Sequence, residues 1–433
     1  MIIEFSVGNY RSFKEIVVFS MVAANINSKN KQLDEDNLFQ VDDDLKLLKS
    51  SAIYGANASG KSNLASALNF MRAFVLNSSK ETKVAAKISV TPFLLSSDPA
   101  DKPSHFEIVF IMGGRKYRYG FEVDAKNVVA EWLFHVPSIR EAKLFERHAD
   151  NISLTSGFKE GKEIIHKTRN NALFLSVVAQ FNGELSKKIL RWFLNVNIIS
   201  GVNDITLMPY TIQLLKDPKR RNTVVELIKK LDTGIADIRV EKGHPPSFDG
   251  APLEIRGILE ALTKKMAQDP KGEFVQVQTY HKKYNSNGEL ITLESFDFNG
   301  YESEGTKKLV AMSGPLIDTL RNGKFLFIDE IDARLHPLIT NAVISLFNSK
   351  VSNPNNAQLV FITHDTNLLS KDSFRRDQIW FAEKDKFGAT HLHSLVEYKI
   401  RNDASFDTDY INGKYGAIPF IGDLSHLVEN TDD

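Results

Sequence analysis

The sequence contains no cysteine among its 433 residues. Disulfide bonds, thiolate zinc sites, iron–sulfur clusters and a cysteine nucleophile are therefore excluded. No run of apolar residues approaches the roughly 18 to 20 that a membrane-spanning helix needs. The stretch that ends at Phe13 has neither a basic leader nor a long apolar core, so a secretory signal is not expected. These absences predict a cytoplasmic protein that reaches a membrane only through a partner.

The sequence also has no net charge, because 54 Lys and Arg residues balance 54 Asp and Glu residues. This balance excludes a strongly basic protein that coats nucleic acid, so any such contact must come from a local patch or an assembled surface. Hydrophobic residues make up 42% and charged residues 25% of the chain, as in folded globular proteins. The length favours two or three structural units.

A glycine-rich stretch lies between a predicted strand, residues 47–54, and a predicted helix, residues 62–76. Its sequence, GANASGKS from Gly55 to Ser62, matches the phosphate-loop pattern G-x-x-x-x-G-K-[ST]. Glycines let the backbone wrap closely around phosphate, so that several N–H groups and the helix start point at its oxygens. Lys61 is predicted to reach the β and γ phosphates of a nucleotide, and Ser62 to ligate Mg²⁺.

Two carboxylates, Asp329 and Glu330, follow an apolar strand with the sequence FLFI. In α/β folds the carboxyl ends of parallel strands border the crevice that binds ligands. Asp329 is predicted to hold Mg²⁺, directly or through water, and Glu330 to orient or deprotonate an attacking water. Many strands end in an acid, so this pair alone is weak evidence. Together with the phosphate loop it favours a nucleoside-triphosphate hydrolase over a simple phosphate binder.

Two further motifs fit the same site. His364 ends the next apolar strand, QLVFIT, where the sheet edge would bring it near the γ-phosphate. Ser303, Glu304 and Gly305 open a helix, for which Ser303 is a reasonable N-cap. The functional alternative is a second phosphate-binding helix start that presents backbone N–H groups and a hydroxyl.

The hydrophobic patterns predict an α/β fold with a mixed parallel sheet and an antiparallel β subdomain. The strands KFLFID and AQLVFIT flank a helical segment, which is the βαβ signature of a parallel sheet. Period-two patterning predicts an antiparallel sheet over residues 88–154, and helical patterning dominates residues 160–270. The predicted domains are a core lobe with the phosphate loop, 1–158; a helical insertion, 159–271; a second core lobe, 272–400; and a tail, 401–433.

The order of the motifs resembles the ABC-type ATPase heads that SMC and RecF proteins share. The segment NYRSF, from Asn9 to Phe13, resembles their amino-terminal nucleotide-flanking segment. The strings ESEGTKK and EIDARLHP, and the YGAIPF segment that begins at Tyr415, are similar to those of AAA-type ATPases known as RloA or abortive-infection proteins, relatives of the OLD-family head. The resemblance covers most of residues 1–420.

This resemblance implies a P-loop NTPase of ABC/SMC head type in which two subunits sandwich two ATP molecules with Mg²⁺. The catalytic residues would be Lys61, Glu330 and the γ-phosphate sensor His364, with Asp329 and Glu330 as the Walker B pair. Nucleotide-binding residues would be Arg11, Gly55, Ala56, Asn57, Ala58, Ser59, Gly60, Lys61, Ser62 and Asn63 from one subunit, and Ser303, Glu304, Gly305 and the D-loop acid Asp332 at the dimer contact.

The resemblance further implies an anti-phage, abortive-infection ATPase that acts as sensor or scaffold in a homodimer or larger oligomer. OLD proteins carry an appended nuclease domain, whereas 69 residues follow His364 here, with Asp407 and Asp409 as weak nuclease candidates. A separately encoded effector, a nuclease or toxin, is therefore expected as a partner. His391 and His393 lack a third ligand and make a poor metal site.

Three alternatives compete with this interpretation. The first is a DNA-binding repair ATPase of RecF or SMC type, with nucleic acid as a partner. Its candidate contact is a basic cluster within residues 216–230, which by default is a solvated helix face. A transporter subunit is disfavoured because about 240 residues separate Lys61 from Ser303 without a recognisable membrane-coupling sequence. A small-molecule kinase is disfavoured because Glu330 and His364 suit water activation.

Overall fold

A computed structural model describes residues 1–26, 28, 30–80, 87–96, 102–138, 140–202, 204–243, 274–400, 405–419 and 421–422. Residues 203 and 244–271 of the predicted helical insertion, and residues 401–404, 420 and 423–433 of the predicted tail, lie outside the described residues. The chain divides into two compact units. The first unit comprises residues 1–200, 320–332 and 340–433, and the second comprises residues 201–319 and 333–339.

The strands of the described residues are β1 (Ile2–Gly8), β2 (Val17–Ser20), β3 (Leu38–Gln40), β4 (Lys46–Leu48), β5 (Ser50–Tyr54), β6 (Ser104–Met112), β7 (Arg115–Val123), β8 (Val128–Val136), β9 (Ala142–His148), β10 (Asn151–Leu154), β11 (Val196–Ser200), β12 (Ile235–Lys242), β13 (Val275–Tyr284), β14 (Leu290–Asp297), β15 (Phe325–Asp329), β16 (Gln358–Ile362), β17 (Ile379–Lys384) and β18 (Thr390–Ser394). The α-helices are α1 (Lys31–Asp36), α2 (Lys61–Asn77), α3 (Phe174–Gln180), α4 (Glu184–Leu194), α5 (Met208–Lys216), α6 (Pro218–Lys230), α7 (Phe298–Tyr301), α8 (Glu304–Asn322), α9 (Pro337–Asn348) and α10 (Phe406–Ile411).

The first unit contains a seven-stranded antiparallel sheet with the order β10-β9-β8-β7-β6-β1-β2. Its alternating pattern buries one face, which includes Phe106, Ile108 and Phe110 of β6. The antiparallel sheet predicted from residues 88–154 is confirmed, and β1 pairs with both β2 and β6. The alternating pattern of residues 1–22 predicts a short turn at Gly8-Asn9, whereas residues 9–16 connect β1 to β2 in the structure.

The first unit also contains a six-stranded sheet with the order β11-β15-β16-β5-β17-β18. All neighbouring strands are parallel except β17 and β18. Every residue of β5 and β16 is buried, and apart from Gln358 at the start of β16 these residues are apolar or small. The predicted mixed α/β fold is thus confirmed. The carboxyl ends of β5, β15 and β16 meet at one sheet edge, with β16 in the middle.

One strand of this sheet lies where the sequence pattern favours helix. β11 has the sequence VNIIS and pairs in parallel with β15. A segment of five residues carries too few positions to separate a strand from a helix segment by its pattern. The pairing with β15, which follows far along the chain, decides its conformation, and this pairing is invisible to a local pattern.

The second unit combines the antiparallel sheet β12-β13-β14 with α5 to α8. Its core contains Val224 and Ile228 of α6, Ile238 of β12, Val277 of β13 and Val310 of α8. The alternating segments on either side of Asn287-Gly288 predict a hairpin, and the antiparallel pairing of β13 with β14 confirms it. Among the described residues, none of the helices is long and apolar enough to cross a membrane.

Candidate active site

The phosphate loop, residues 55–62, leads from β5 into α2. Leu64, Leu68 and Met71 form part of the buried face of α2, and their helical spacing fixes the helix against the sheet. Gly60 is the helix N-cap and has a φ of 101°. A side chain there would collide with the hydroxyl groups of Ser12 and Thr390, so glycine is required by both conformation and space.

Lys61 is 6% exposed, and its ammonium donates hydrogen bonds to the carbonyls of Gly55 and Ala56, both at 2.8 Å. Burial lowers the pKa of Lys61 to about 8, although the carboxylates of Asp329 and Glu330 act in the opposite direction. The ammonium therefore lies folded onto the loop that would surround a phosphate. Phosphate oxygens can replace the two carbonyls as stronger, charged acceptors.

Ser62 and Asp329 are in direct contact, because the Ser62 hydroxyl donates to Asp329 Oδ1 at 3.1 Å. Burial and the neighbouring Glu330 charge raise the pKa of Asp329, partly offset by this hydrogen bond and by Lys61. A hydroxyl and a carboxylate are the oxygen donors that Mg²⁺ binds together with nucleotide phosphates. The pair therefore fits a magnesium ion, whose charge would also stabilise the ionised form of Asp329.

Glu330 lies in the turn that leaves β15 and has a φ of 57°. This left-handed conformation is uncommon for a residue other than glycine, and such strain is concentrated at functional sites. The turn directs the chain away from the sheet immediately after Asp329. Its position next to Asp329, which would help hold a magnesium ion, is the one expected for a residue that acts on water.

His364 follows β16 at the same sheet edge. Its backbone N–H donates to Asp332 Oδ2 at 3.4 Å. Desolvation and the Lys61 charge lower the pKa of His364, and the charges of Asp332, Glu330 and Asp329 oppose them. These mutual effects show that the fold assembles Lys61, His364 and the three acids in one place. The imidazole is neutral at neutral pH and can therefore donate one hydrogen bond to phosphate.

Arg11 lies beside the first turn of α2. Its guanidinium lies over the ring of Tyr10, 5.6 Å from the centroid, and donates to Asn63 Oδ1 at 3.5 Å. Its φ of 49° is in the left-handed region. The structure thus places both Arg11 and Asn63 next to the phosphate loop.

Ser303, Glu304 and Gly305 lie in the second unit, at the start of α8. The Ser303 hydroxyl accepts a hydrogen bond from the backbone N–H of Thr306 at 3.1 Å and so caps the helix. Glu304 pairs with Lys307 at 3.0 Å and with Arg334 at 3.4 Å. A Cβ at Gly305 would lie 2.8 Å from the Arg334 carbonyl oxygen, so this close approach requires glycine.

Several residues that support the phosphate loop carry no motif in the sequence. Tyr54, the last residue of β5, packs edge-on against Tyr410, with ring centroids 5.8 Å apart. Phe381 stacks on Tyr410 and on Tyr415, at 5.3 and 5.6 Å. Burial raises the pKa of Tyr410 to about 12, so it stays protonated. Tyr415 belongs to the YGAIPF segment. The resemblance of this segment to RloA-type ATPases is the one feature of the sequence that points to this aromatic packing.

The weaker candidates have ordinary structural partners. Asp409 contacts Lys414 at 2.5 Å and Tyr415 at 3.1 Å, and Asp407 contacts Ser405. His391 pairs with Asp385, and His393 lies against the Tyr415 carbonyl. In the basic cluster, ion pairs connect Arg220 to Asp217, Arg221 to Asp237 and Lys229 to Glu226. This partial neutralisation favours a solvated helix face.

One known protein family matches most of the chain. Residues 50–370 match the family described as "AAA domain, putative AbiEii toxin, Type IV TA system". The chain belongs to this family. The matched region begins at the first residue of β5 and extends past His364, so it spans the phosphate loop, the start of α8 and the acids after β15. No curated protein matches the sequence.

Two solved structures illustrate the similarity of this family member to other proteins. The SMC head domain from Thermotoga maritima is 12% identical, with a TM-score of 0.39, over 92% of this chain and 99% of that one. An ATP-binding cassette in a dimeric, post-hydrolysis state bound to ADP and Pi is 13% identical, with a TM-score of 0.26. The match covers 90% of this chain and 98% of that one.

The lowered pKa of Lys61 predicts a pH dependence of phosphate binding by this family member. Only the ammonium form gives phosphate a charge-assisted hydrogen bond, so full-strength binding above pH 8 must first return a proton to Lys61. We expect the dissociation constant for Mg-ATP to rise by up to about tenfold per pH unit above about pH 8 and to level off below it. Calorimetry between about pH 7 and pH 9.5 measures this dependence, and a flat profile would contradict it.

The lowered pKa of Lys61 weakens ATP binding above pH 8 but has the opposite effect on the stability of the free protein. Between about pH 8 and the ordinary lysine value of 10.5, folded Lys61 binds fewer protons than unfolded Lys61. Its contribution to the free energy of unfolding therefore increases as the pH rises through this range. Weaker ATP binding above pH 8 is thus not a consequence of unfolding driven by Lys61.

Proposed function

We propose that the chain binds ATP together with Mg²⁺ at its phosphate loop and hydrolyses the ATP to ADP and phosphate. The main support is that Lys61, Ser62, Asp329 and His364 converge at the carboxyl edge of one parallel sheet. Membership in an AAA-domain family agrees with this proposal. A simple phosphate-binding protein would not need the acids and the histidine beside the loop.

The reaction follows from the positions of these side chains. Mg²⁺, when bound by Ser62 and Asp329, supplies positive charge to the phosphates. Lys61 exchanges its two loop carbonyls for β- and γ-phosphate oxygens. Glu330 accepts a proton from water as the water oxygen bonds to the γ-phosphorus, and the bond to the β–γ bridging oxygen breaks. Neutral His364 donates a hydrogen bond to a γ-phosphate oxygen.

We further propose that two chains assemble around ATP. The exposed start of α8 presents Ser303 and Glu304 to a second subunit, where the helix N-terminus can bind the γ-phosphate held by the partner's phosphate loop. The resemblance to ABC-type heads supports this role.

Sedimentation of the Glu330→Gln variant tests this assembly. We expect monomers without nucleotide and dimers with Mg-ATP, because slowed hydrolysis preserves the ATP that holds the subunits together. Adding Ser303→Arg should prevent dimerisation while each chain still binds ATP. Ser286→Arg, at an exposed serine of the β13–β14 turn in the same unit, is the matched control and should leave dimerisation intact. The assembly proposal fails if Mg-ATP leaves the sedimentation of Glu330→Gln unchanged.

We also propose that the chain is a cytoplasmic sensor or scaffold in an anti-phage system. The family description, which names a putative AbiEii toxin and a type IV TA system, supports this role. The contacts of Asp407 and Asp409 with neighbouring side chains argue against a nuclease site there, so a separate effector would carry the destructive activity. A nuclease or toxin gene next to this one would support this role, and a replication or repair operon would contradict it.

A further inference from the structure

A chain of three hydrogen bonds connects Ser59, in the second half of the phosphate loop, with Asn63, in the first turn of α2, through residues outside the loop. Thr390 Oγ1, at the start of β18, is 2.8 Å from the Ser59 carbonyl oxygen and 2.8 Å from Ser12 Oγ. Asn63 Nδ2, in the first turn of α2, donates to Ser12 Oγ at 2.7 Å. Ser59 and Asn63 are thus connected through Ser12 and Thr390.

The two ends of this relay have fixed roles, because a carbonyl oxygen only accepts and an amide NH₂ only donates. The Thr390 hydroxyl lies within donating distance of both the Ser59 carbonyl and Ser12 Oγ, and Ser12 Oγ also accepts from Asn63. Asn63 consequently turns its Oδ1 toward Arg11, which donates to it at 3.5 Å.

The relay lies in a tightly packed, largely buried part of the first unit. Thr390 is 1% exposed and Ser12 is 8% exposed. A backbone hydrogen bond from the Thr390 N–H to the Ser12 carbonyl, 2.7 Å long, holds the two segments together. Gly60 fits against both hydroxyl groups, and a Cβ there would lie 2.6 Å from Ser12 Oγ. The glycine of the motif is therefore matched to the relay as well as to phosphate.

We propose that Ser12 and Thr390 are positioning residues that hold the phosphate loop in its phosphate-binding shape before nucleotide arrives. The inference rests on the proposed function, because it concerns the affinity of the same site for ATP. A loop that is already ordered does not lose conformational entropy when phosphate binds, so its affinity is higher. The relay also aims Arg11 along the first turn of α2, where it can contact the nucleotide.

Thr390→Val tests the relay, because valine keeps the shape of threonine and removes the hydroxyl. We expect the KM and the dissociation constant for Mg-ATP to rise about tenfold, equivalent to about 1.4 kcal/mol. The kcat at saturating ATP should stay within about twofold, since no group that touches the γ-phosphate has changed. Thr390→Ser should restore binding to within about twofold of wild type. Ser12→Ala should reproduce the effect and serves as a second variant if Thr390→Val fails to fold.

A matched control separates positioning from stability. Thr211 is buried in the second unit, and its hydroxyl donates to the Ala311 carbonyl at 2.7 Å. Thr211→Val should lower the melting temperature without changing the KM for ATP. The Ser12→Ala, Thr390→Val double variant should bind ATP within about twofold of either single variant, because both remove the same relay.

Three results would overturn the inference. They are an unchanged KM in Thr390→Val, an equal loss in Thr390→Ser, or an equal rise in Thr211→Val. Each of these is compatible with ATP binding by the wild-type chain and so leaves the proposed function standing. If the wild-type chain itself binds no Mg-ATP, the proposed function fails together with the inference.

Discussion

Replacing Glu330 with glutamine is expected to reduce ATP turnover by at least about 100-fold while ATP binding is retained. Glutamine has nearly the same shape and can still hydrogen-bond to water, but it cannot accept a proton from it. The strained backbone at this position, with a φ of 57°, favours neither residue over the other. Steady-state phosphate release and calorimetric titration with Mg-ATP measure the two quantities separately.

Glu226→Gln provides the control for this variant. Glu226 lies on α6 in the second unit, where it forms an ion pair with Lys229 at 3.6 Å. Its replacement should change turnover by less than about twofold, because exposed ion pairs contribute little. Turnover of Glu330→Gln within a few-fold of wild type would show that another group activates the water, and Glu330 would lose its assigned role.

Replacing Lys61 with methionine is expected to weaken Mg-ATP binding by at least about 100-fold, because charge-assisted hydrogen bonds to phosphate are lost. The fold should persist. Methionine keeps the apolar stem and removes a buried ammonium whose desolvation is reflected in its lowered pKa. The melting temperature without nucleotide should therefore change little, whereas the rise in melting temperature caused by saturating Mg-ATP should disappear.

Lys49→Met is the matched control, since Lys49 is another buried lysine at the opposite end of β5. Its ammonium donates to the Asn348 carbonyl at the end of α9, 3.3 Å away. This variant is expected to change the melting temperature and to keep the rise that Mg-ATP causes. An undiminished Mg-ATP shift in Lys61→Met would mean that nucleotide binds elsewhere on the chain.

The sequence predicts those parts of the site whose residues lie close together in the chain. The strand, glycine turn and helix around Lys61 form one run of about 30 residues, and the apolar strand before Asp329 marks its own carboxyl end. The parallel order of β15, β16 and β5 then places their ends together. For these reasons the residue types and the predicted fold locate the site at one edge of the sheet.

The parts that the sequence does not predict depend on long-range pairing. Ser12 and Thr390 are 378 positions apart, and no local pattern connects two hydroxyl groups at that distance. β11 is five residues long, and its conformation depends on β15. The aromatic packing of Tyr54 on Tyr410 likewise joins distant segments, and its only trace in the sequence is the nearby YGAIPF string.

The assignment of an ATPase site is tested by phosphate release from the purified chain, measured against protein concentration with and without Mg²⁺. We expect Mg²⁺-dependent hydrolysis of ATP whose rate per chain rises with protein concentration, because the active form requires two chains. Lys61→Met should abolish this activity. Absence of Mg²⁺-dependent phosphate release at every concentration, with intact folding, would contradict the assignment of this site as an ATPase.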